Sequence, residues 1–190
     1  MLAASKPLLI EIGTEELPTN SVSVLGKALL DGVTHGLKVR NLSFGKTHWY
    51  ASPRRLAALI NDVEQVAPEK MIEALGPPVE AARDQNGKWS KAAIGFAKKH
   101  GCSPENLTEK DTEKGPRLAF CSTIPGISIE ESLTDIINES IDSLPIEKKM
   151  RWGAGQIEFV RPVHWVVVMY GSNVLKDPVL GVTPGNITFG

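Results

Sequence analysis

The sequence predicts an α+β fold: a mixed or antiparallel sheet packed by amphipathic helices, with a small helical insertion in the middle of the chain. Short apolar runs rich in β-branched residues occur near both ends of the 190-residue chain, and each has the length of a strand. Between them lie segments whose apolar residues recur at spacings of three and four, which is typical of amphipathic helices. The predicted order begins strand, helix, strand, strand, and this irregular order favours an α+β fold.

Residues 1–71 are predicted to form the first part of the α+β domain. Three short runs with β-branched, aromatic or apolar character predict strands: 8–12, 46–50 and 56–60. The last of these would also suit a helix because of its alanines. A longer helix is predicted after the first strand, capped by Asn20 or Ser21 and ending near Gly36. Its apolar face consists of Val22, Leu25, Leu29, Val33 and Leu37.

Residues 72–115 are predicted to form a small helical insertion or lobe between segments rich in Pro and Gly. Its main element is a helix over residues 91–100, with Ser90 placed to cap it and Gly101 placed to end it. The other elements predicted here are turns at 76–78 and 84–87, a short helix starting at Ser103, and a loop over 108–116.

Residues 116–190 are predicted to form the second part of the α+β domain. The clearest helix of the chain starts here, because Ser128 and Glu131 have the spacing of a capping box and Pro145 follows the last apolar position. Its five acidic residues, with no basic residue among them, are expected to form a solvated outer face. Strands are predicted over 117–124, 163–170 and 179–182.

Composition excludes several broad classes of protein. With 21 basic and 22 acidic side chains, the net charge of −1 excludes a uniformly basic nucleic-acid binder but allows a local basic patch. Cys102 and Cys121 are too few for a disulfide framework and form no C-x-x-C pair, so we expect two reduced thiols. No apolar run approaches the roughly 20 residues of a membrane span, and the N-terminus lacks the pattern of a signal peptide. We therefore expect a cytoplasmic protein with no membrane partner.

The sequence offers no recognisable catalytic centre or metal site. It contains neither a phosphate-binding G-x-x-x-x-G-K-[ST] loop nor a G-x-S-x-G nucleophile elbow, and Gly153-Ala154-Gly155 is an isolated G-x-G. The four histidines lie far apart, without a second histidine or a cysteine at ligand spacing. Glu15 and Glu16 are adjacent in a predicted loop, where a salt bridge or a helix N-terminal contact explains them better than acid–base catalysis. We therefore predict no catalytic residue and no metal ligand.

A first basic cluster lies between two predicted strands, in the segment Ser52-Pro53-Arg54-Arg55-Leu56-Ala57. The guanidinium group donates two parallel hydrogen bonds to a phosphate or a carboxylate. Arg54 and Arg55 could therefore contact an anion such as an RNA backbone, or they could pair with loop acids such as Glu15 and Glu16. The spacing leaves both alternatives open and favours the structural one.

A second cluster alternates basic and aromatic residues over 148–165. The bases of RNA stack on aromatic rings while Lys and Arg neutralise phosphates, so this mixture suits a nucleic-acid surface. The alternative is that the aromatic residues beside a strand belong to the core and that arginine stems pack along them. The basic residues are Lys148, Lys149, Arg151 and Arg161, and the aromatic residues are Trp152, Phe159 and Trp165.

These clusters also carry a resemblance to a known family. Five blocks, in the same order, are similar to segments of the β subunit of bacterial glycyl-tRNA synthetase, with Ser52 in place of the family's Thr. Together they make the match specific and extend it over essentially the whole chain. The blocks are Leu9-Ile10-Glu11-Ile12-Gly13-Thr14-Glu15-Glu16-Leu17-Pro18, Ser52-Pro53-Arg54-Arg55-Leu56-Ala57, Lys91-Ala92-Ala93-Ile94-Gly95-Phe96-Ala97, Met150-Arg151-Trp152-Gly153 and Phe159-Val160-Arg161-Pro162-Val163-His164-Trp165.

The resemblance implies an α2β2 enzyme that attaches glycine to its tRNA with ATP and Mg. In that family the catalytic core belongs to the α subunit, and the β subunit supplies tRNA recognition. The family's β chains are several times longer and carry HD-type and anticodon-binding domains, so this chain would be an N-terminal part. The family's G-H-R-F block would begin near Thr188-Phe189-Gly190, so we expect the second part of the α+β domain to be cut short there.

On this basis we expect the chain to contact tRNA-Gly, the α subunit, or both, and to hold no cofactor itself. The alternative is a purely structural assembly module, whose arginines pair with Glu11, Glu15, Glu16 and the acidic helix. The candidates for contact with tRNA or the α subunit are Arg54, Arg55, Lys148, Lys149, Arg151, Trp152 and Arg161.

Overall fold

The computed structural model describes residues 4–83, 87–113, 115–152 and 156–189 of the chain. The helices of this part are α1 Val22–Val39, α2 Lys91–Lys99 and α3 Ile129–Asp142. The strands are β1 Ser5–Thr14, β2 Thr47–Ser52, β3 Arg55–Glu64, β4 Lys70–Pro78, β5 Thr108–Thr112, β6 Gly115–Ile124, β7 Met150–Arg151, β8 Glu158–Phe159, β9 Val163–Tyr170 and β10 Asn173–Val174. All named strand pairs are antiparallel, so the predicted α+β fold class is confirmed.

The chain forms two compact units, of which the first combines the residues up to Pro68 with those from Ile127 onward. Its five-stranded sheet has the order β10-β9-β1-β3-β2, so the first strand of the chain lies at the centre. Ile10 and Ile12 of β1 are fully buried in one core with the apolar faces of α1 and α3. Because side chains alternate along a strand, the residues between them lie on the other face of the sheet.

The two helices of the first unit begin and end in different ways. At the start of α3, the Ser128 hydroxyl accepts from the amide of Glu131, whose carboxylate accepts from the amide of Ser128, which confirms the predicted capping box. Ser21 precedes α1 without a side-chain capping bond. The helix α1 ends at Val39, three residues past Gly36, so it does end near this glycine as predicted. Gly36 itself is buried inside the helix, and it is Asn41 that has the left-handed conformation, with φ of 56°.

The second unit, Glu69–Gly126, contains a three-stranded sheet of order β4-β6-β5 and the helix α2. As predicted, Ser90 caps α2 by accepting from the amide of Ala93, and Gly101 follows it with φ of +69°. The predicted loop over 108–116 is wrong, because residues 108–112 form β5 and pair with β6. This unit therefore contains strands as well as the predicted helix.

The C-terminal segment of the first unit, residues 175–189, lies beside β9. The predicted strand over 179–182 is wrong: Val179 and Val182 close a single bridge around a tight turn with positive φ at the two residues between them. Gly185 then donates its amide hydrogen to the Val166 carbonyl at 2.9 Å, which holds the segment beside β9.

Among the described helices, none has both the length and the apolar character to cross a membrane. The isolated G-x-G at 153–155 lies outside the described residues.

Candidate functional site at one end of the sheet

The two sequence clusters meet at one end of the five-stranded sheet. The central strand β1 pairs with β3 on one side and with β9 on the other. In this register Gly13 lies opposite Arg55 of the first cluster and opposite Trp165 of the second. The antiparallel pairing therefore brings together residues that are far apart in the sequence.

These strand ends surround an open cleft of about 590 Å³. The β2–β3 turn forms one wall, and the start of β9 forms another. A positive guanidinium pair and two aromatic rings line the same space, which makes the cleft suitable for an anionic or flat aromatic group. The lining residues are Glu16, Ser52, Pro53, Arg54, Arg55, His164, Trp165 and Phe189.

Gly13 provides the space in which the Trp165 ring lies. A Cβ atom at residue 13 would come within 2.1 Å of two atoms of the indole ring, a distance that no packed structure tolerates. The indole of Trp165 thus lies against the bare backbone of β1, and its Nε1 donates to Oε1 of Glu11 at 2.7 Å. The glycine and the tryptophan of two separate sequence blocks therefore depend on each other.

Glu11 is a buried carboxylate on the sheet face that does not carry the helices. Only 7% of the residue is exposed, and burial of a charge is costly unless the charge is paired and hydrogen-bonded. Its Oε1 accepts from the Trp165 indole and from the Thr188 hydroxyl, and Nε of Arg55 lies 3.6 Å away. The sequence suggested Glu11 only as a possible partner of the arginines and did not predict its contacts with Trp165 and Thr188. An acid between Ile10 and Ile12 nevertheless indicates a polar contact on the opposite face of the sheet.

Arg55 joins the sheet to the C-terminal segment. Its guanidinium lies 5.8 Å from the centre of the Trp165 ring and donates to the carbonyl of Phe189. Its Nε is buried without a hydrogen-bond partner among the described residues, with Glu11 as the nearest carboxylate. The Phe189 ring meets the Trp165 ring edge-on at 5.3 Å. Arg55 is thus engaged within the chain, as the structural alternative expects.

Arg54 points differently from its neighbour. More than half of its side chain is exposed (57%), and its nearest carboxylate oxygen, on Glu15, is 3.9 Å away. The Glu15 carboxylate forms a closer hydrogen bond with His164, whose Nε2 lies 2.8 Å from Oε1 of Glu15. The guanidinium of Arg54 is therefore only loosely paired and remains accessible at the rim of the cleft.

Arg161 and Arg151 both have partners within the chain. Arg161 donates from Nε to the carbonyl of Glu16 and from Nη1 to its neighbouring carbonyl of Val160, each at 2.9 Å. Arg151 pairs with Glu158 across the short β7–β8 hairpin at 2.7 Å, with both side chains about half exposed. The first arginine thus supports the loop after β1, and the second stays near the surface.

The remaining candidates lie just before the β7–β8 hairpin and on it. Lys148 and Lys149 are exposed and form no ion pair with a described residue. Trp152 is half-buried and packs against the core of the first unit, as its structural alternative predicted. The structure therefore leaves Arg54, Lys148 and Lys149 as the candidates whose charge is most available to a partner.

The segments that form this site lie within the region of the chain that matches a known protein family. The family model for the glycyl-tRNA synthetase beta subunit matches residues 8–190. The chain belongs to this family. The predicted resemblance is thereby confirmed, and the beta-subunit blocks around Glu11, Arg55 and Trp165 are the ones that form the sheet-end cleft.

Several curated glycine–tRNA ligase beta subunits are similar to this chain. The protein of Marinobacter nauticus is 41% identical over 98% of the chain and 27% of its own length. That of Hahella chejuensis is 41% identical over 96% of the chain and 26% of its own length, and that of Pseudomonas aeruginosa is 40% identical over the same shares. The chain spans about a quarter of the length of these relatives.

Proposed function

We propose that this chain acts in the cytoplasm as the N-terminal part of the beta subunit of a tetrameric glycine–tRNA ligase. In this role it contributes tRNA binding, assembly with the α subunit, or both, to the ATP-dependent attachment of glycine to tRNA-Gly. The observation that carries the proposal is the sheet-end cleft, where two of the beta-subunit blocks place an accessible guanidinium beside aromatic rings.

Contact with tRNA is supported by the accessible positive charges. Arg54 can form two parallel hydrogen bonds with one phosphate, because no described carboxylate lies within hydrogen-bond distance of its fork. Lys148 and Lys149 can add two point charges that neutralise phosphates without base specificity. The net charge of −1 does not oppose this proposal, because a local patch decides the contact.

ATP and Mg²⁺ belong, in this proposal, to the α subunit of an α2β2 assembly. The sequence of this chain has no phosphate-binding loop, and the described residues contain no group of three His, Cys, Asp or Glu side chains placed to hold a metal ion. The residues of this chain would therefore bind and position tRNA or the partner subunit, and the adenylate would form elsewhere in the assembly.

A second candidate function is a purely structural assembly module with no RNA contact. The observation that favours it is the internal engagement of Arg55 and Arg161, which bind carbonyl groups of this chain. Under this alternative the function of the sheet-end cluster is to stabilise the first unit, and the removal of an exposed charge would not affect tRNA binding. We define this cluster as Glu11, Gly13, Arg55, Trp165 and Thr188.

The test uses the full-length beta subunit assembled with its α subunit and carrying Arg54→Ala, Lys148→Gln and Lys149→Gln. We expect weaker tRNA-Gly binding and a log–log salt slope that is smaller by about 0.7 to 0.9 for each phosphate that is no longer neutralised. Lys27→Gln is the matched control, because Lys27 is an exposed lysine of α1 without an ion pair to a described residue. Unchanged affinity and slope together with failed assembly would favour the structural module.

A further inference from the structure

The helix α2 of the second unit has an exposed face with an unusual composition. Ala93 and Ala97 are buried, and Phe96 packs on the same side, where its ring lies 2.7 Å from the position of a Cβ at Gly76. The opposite side of the helix is exposed to solvent. Residues three and four apart are neighbours on a helix surface, so its members form one patch. We define the lysine face as Lys91, Gly95, Lys98 and Lys99.

No contact with the described residues requires residue 95 to be a glycine. A Cβ built on it would have no atom within 4 Å, in contrast to Gly76, whose missing side chain makes room for Phe96. Glycine in the interior of a helix lowers helix stability relative to alanine, because its backbone loses more freedom on folding. The chain thus accepts a less stable helix at an exposed position where alanine would fit.

Lys91 is a second residue of the lysine face that lowers the stability of the helix. It occupies the first turn of α2, which contains no acidic residue, although the partial positive charge of a helix N-terminus disfavours a cation there. Lys98 and Lys99, by contrast, lie in the last turn, where the helix dipole favours them. Lys91, Lys98 and Lys99 are exposed and form no ion pair with the described residues. Local costs of this kind are typical of binding sites.

We propose that the lysine face binds the sugar–phosphate backbone of tRNA, with Gly95 allowing the backbone to approach the helix closely. The inference rests on the proposed function. Three lysines without an ion pair to a described residue surround a position that has no side chain, so a phosphate group can reach the helix surface and meet positive charge on each side. An RNA backbone fits these charges better than an apolar protein surface would, because only Ile94 adds a large exposed apolar side chain to α2.

The RNA contact of the lysine face is tested by measuring tRNA-Gly binding by the full-length beta subunit assembled with its α subunit. Gly95→Ala and Gly95→Gln insert side chains of increasing size, and we expect Gly95→Gln to weaken binding by about tenfold. Both substitutions place better helix formers at an exposed site, so the midpoint of thermal unfolding should rise or stay unchanged. A variant that is as stable as the wild type and binds less well separates a weakened RNA interaction from a folding defect.

A second variant removes the charges of the lysine face by Lys91→Gln, Lys98→Gln and Lys99→Gln. We expect the log–log salt slope of tRNA binding to fall by about 0.7 to 0.9 for each phosphate that the variant no longer neutralises, with Lys27→Gln as the matched control. Unchanged affinity and slope in both variants would overturn the inference. Failure to assemble with the α subunit, without a change in tRNA affinity, would also overturn it and would show that the face binds protein.

The wild-type assembly separates this inference from the proposed function. If the wild type binds and charges tRNA-Gly, and Arg54→Ala weakens binding while the lysine-face variants do not, only the inference fails. If the beta subunit makes no difference to tRNA binding by the assembly, the tRNA-binding part of the proposed function fails together with the inference, and the structural assembly module is favoured.

Discussion

At the scale of single residues, the sheet-end cluster depends on contacts among Glu11, Gly13 and Trp165. Gly13 leaves space for the Trp165 ring, and the indole in turn donates to the buried carboxylate of Glu11. Arg55 and Thr188 complete the surroundings of that carboxylate. Because a buried charge is stabilised by all its partners together, the removal of one partner is expected to weaken the whole cluster.

Gly13→Ala should destabilise the first unit by about 1–3 kcal/mol, because the new methyl group would overlap the indole of Trp165. Urea denaturation of the chain followed by tryptophan fluorescence measures the effect. In a Trp165→Leu background the same substitution should cost less, since the ring that it would overlap is gone. An equal decrease in the free energy of unfolding in both backgrounds would show that Gly13 is not needed to make room for the Trp165 ring.

Arg55→Ala should lower the free energy of unfolding by about 1–3 kcal/mol, because it leaves the Glu11 carboxylate with one partner fewer and frees the Phe189 carbonyl. Its neighbour provides the matched control: Arg54→Ala should change stability by no more than about 0.5 kcal/mol, since its side chain is mostly exposed and loosely paired. Equal decreases in stability in the two variants would contradict the division of roles.

The sequence alone could not divide these roles between two adjacent arginines. Both alternatives for Arg54 and Arg55 followed from the same spacing, and the choice depends on which way each side chain leaves the β2–β3 turn. Glu11 was equally hard to place, because its partners Trp165 and Thr188 reach it only through the register of β1 and β9 and the path of the C-terminal segment.

At the scale of elements, an ion pair joins the two helices of the first unit. Arg40, just after α1, donates from both terminal nitrogens to Glu139 of α3, at 2.9 and 3.0 Å. This hydrogen-bonded guanidinium lowers the pKa of the Glu139 carboxyl from its ordinary value of 4.5. The same pair raises the pKa of Arg40.

The pair predicts a pH dependence of stability. A carboxyl whose pKa is lowered by folding stabilises the folded state above its unfolded pKa, and this contribution is lost as the pH falls through the folded pKa. The difference in unfolding free energy between the wild type and Glu139→Gln should therefore shrink below about pH 4. Urea denaturation over a pH series measures it, with Asp31→Asn of α1 as an exposed control. A constant difference would show that the ion pair does not contribute.

Elements with a strong apolar period could be predicted, and the two edge strands of the second unit, β4 and β5, could not. The helix α3 followed from its apolar face and its capping box, both of which the structure reproduces. The strand β5 consists of charged and hydroxyl residues with four of its five positions exposed, so it has no apolar signal. The strand β4 ends in Gly76-Pro77-Pro78, which suggested a turn, but an edge strand accepts prolines because one side of it makes no ladder.

At the scale of the whole molecule, the chain consists of two units that carry different beta-subunit blocks. The first unit contains the sheet-end cleft, and the second contains the helix α2 with the lysine face. The family could be recognised from the sequence because its blocks are specific. Which side chains are accessible required the fold, since exposure depends on strand register and helix packing.

We propose above all that this chain contributes tRNA binding to a glycine–tRNA ligase and that glycine activation takes place in another part of the assembly. The most direct measurement compares glycine-dependent ATP–pyrophosphate exchange with tRNA charging, in the assembled ligase carrying Arg54→Ala, Lys148→Gln and Lys149→Gln. We predict that exchange is retained, while the KM for tRNA in charging rises by about tenfold. A parallel decrease in exchange and charging, or unchanged charging, would contradict the claim.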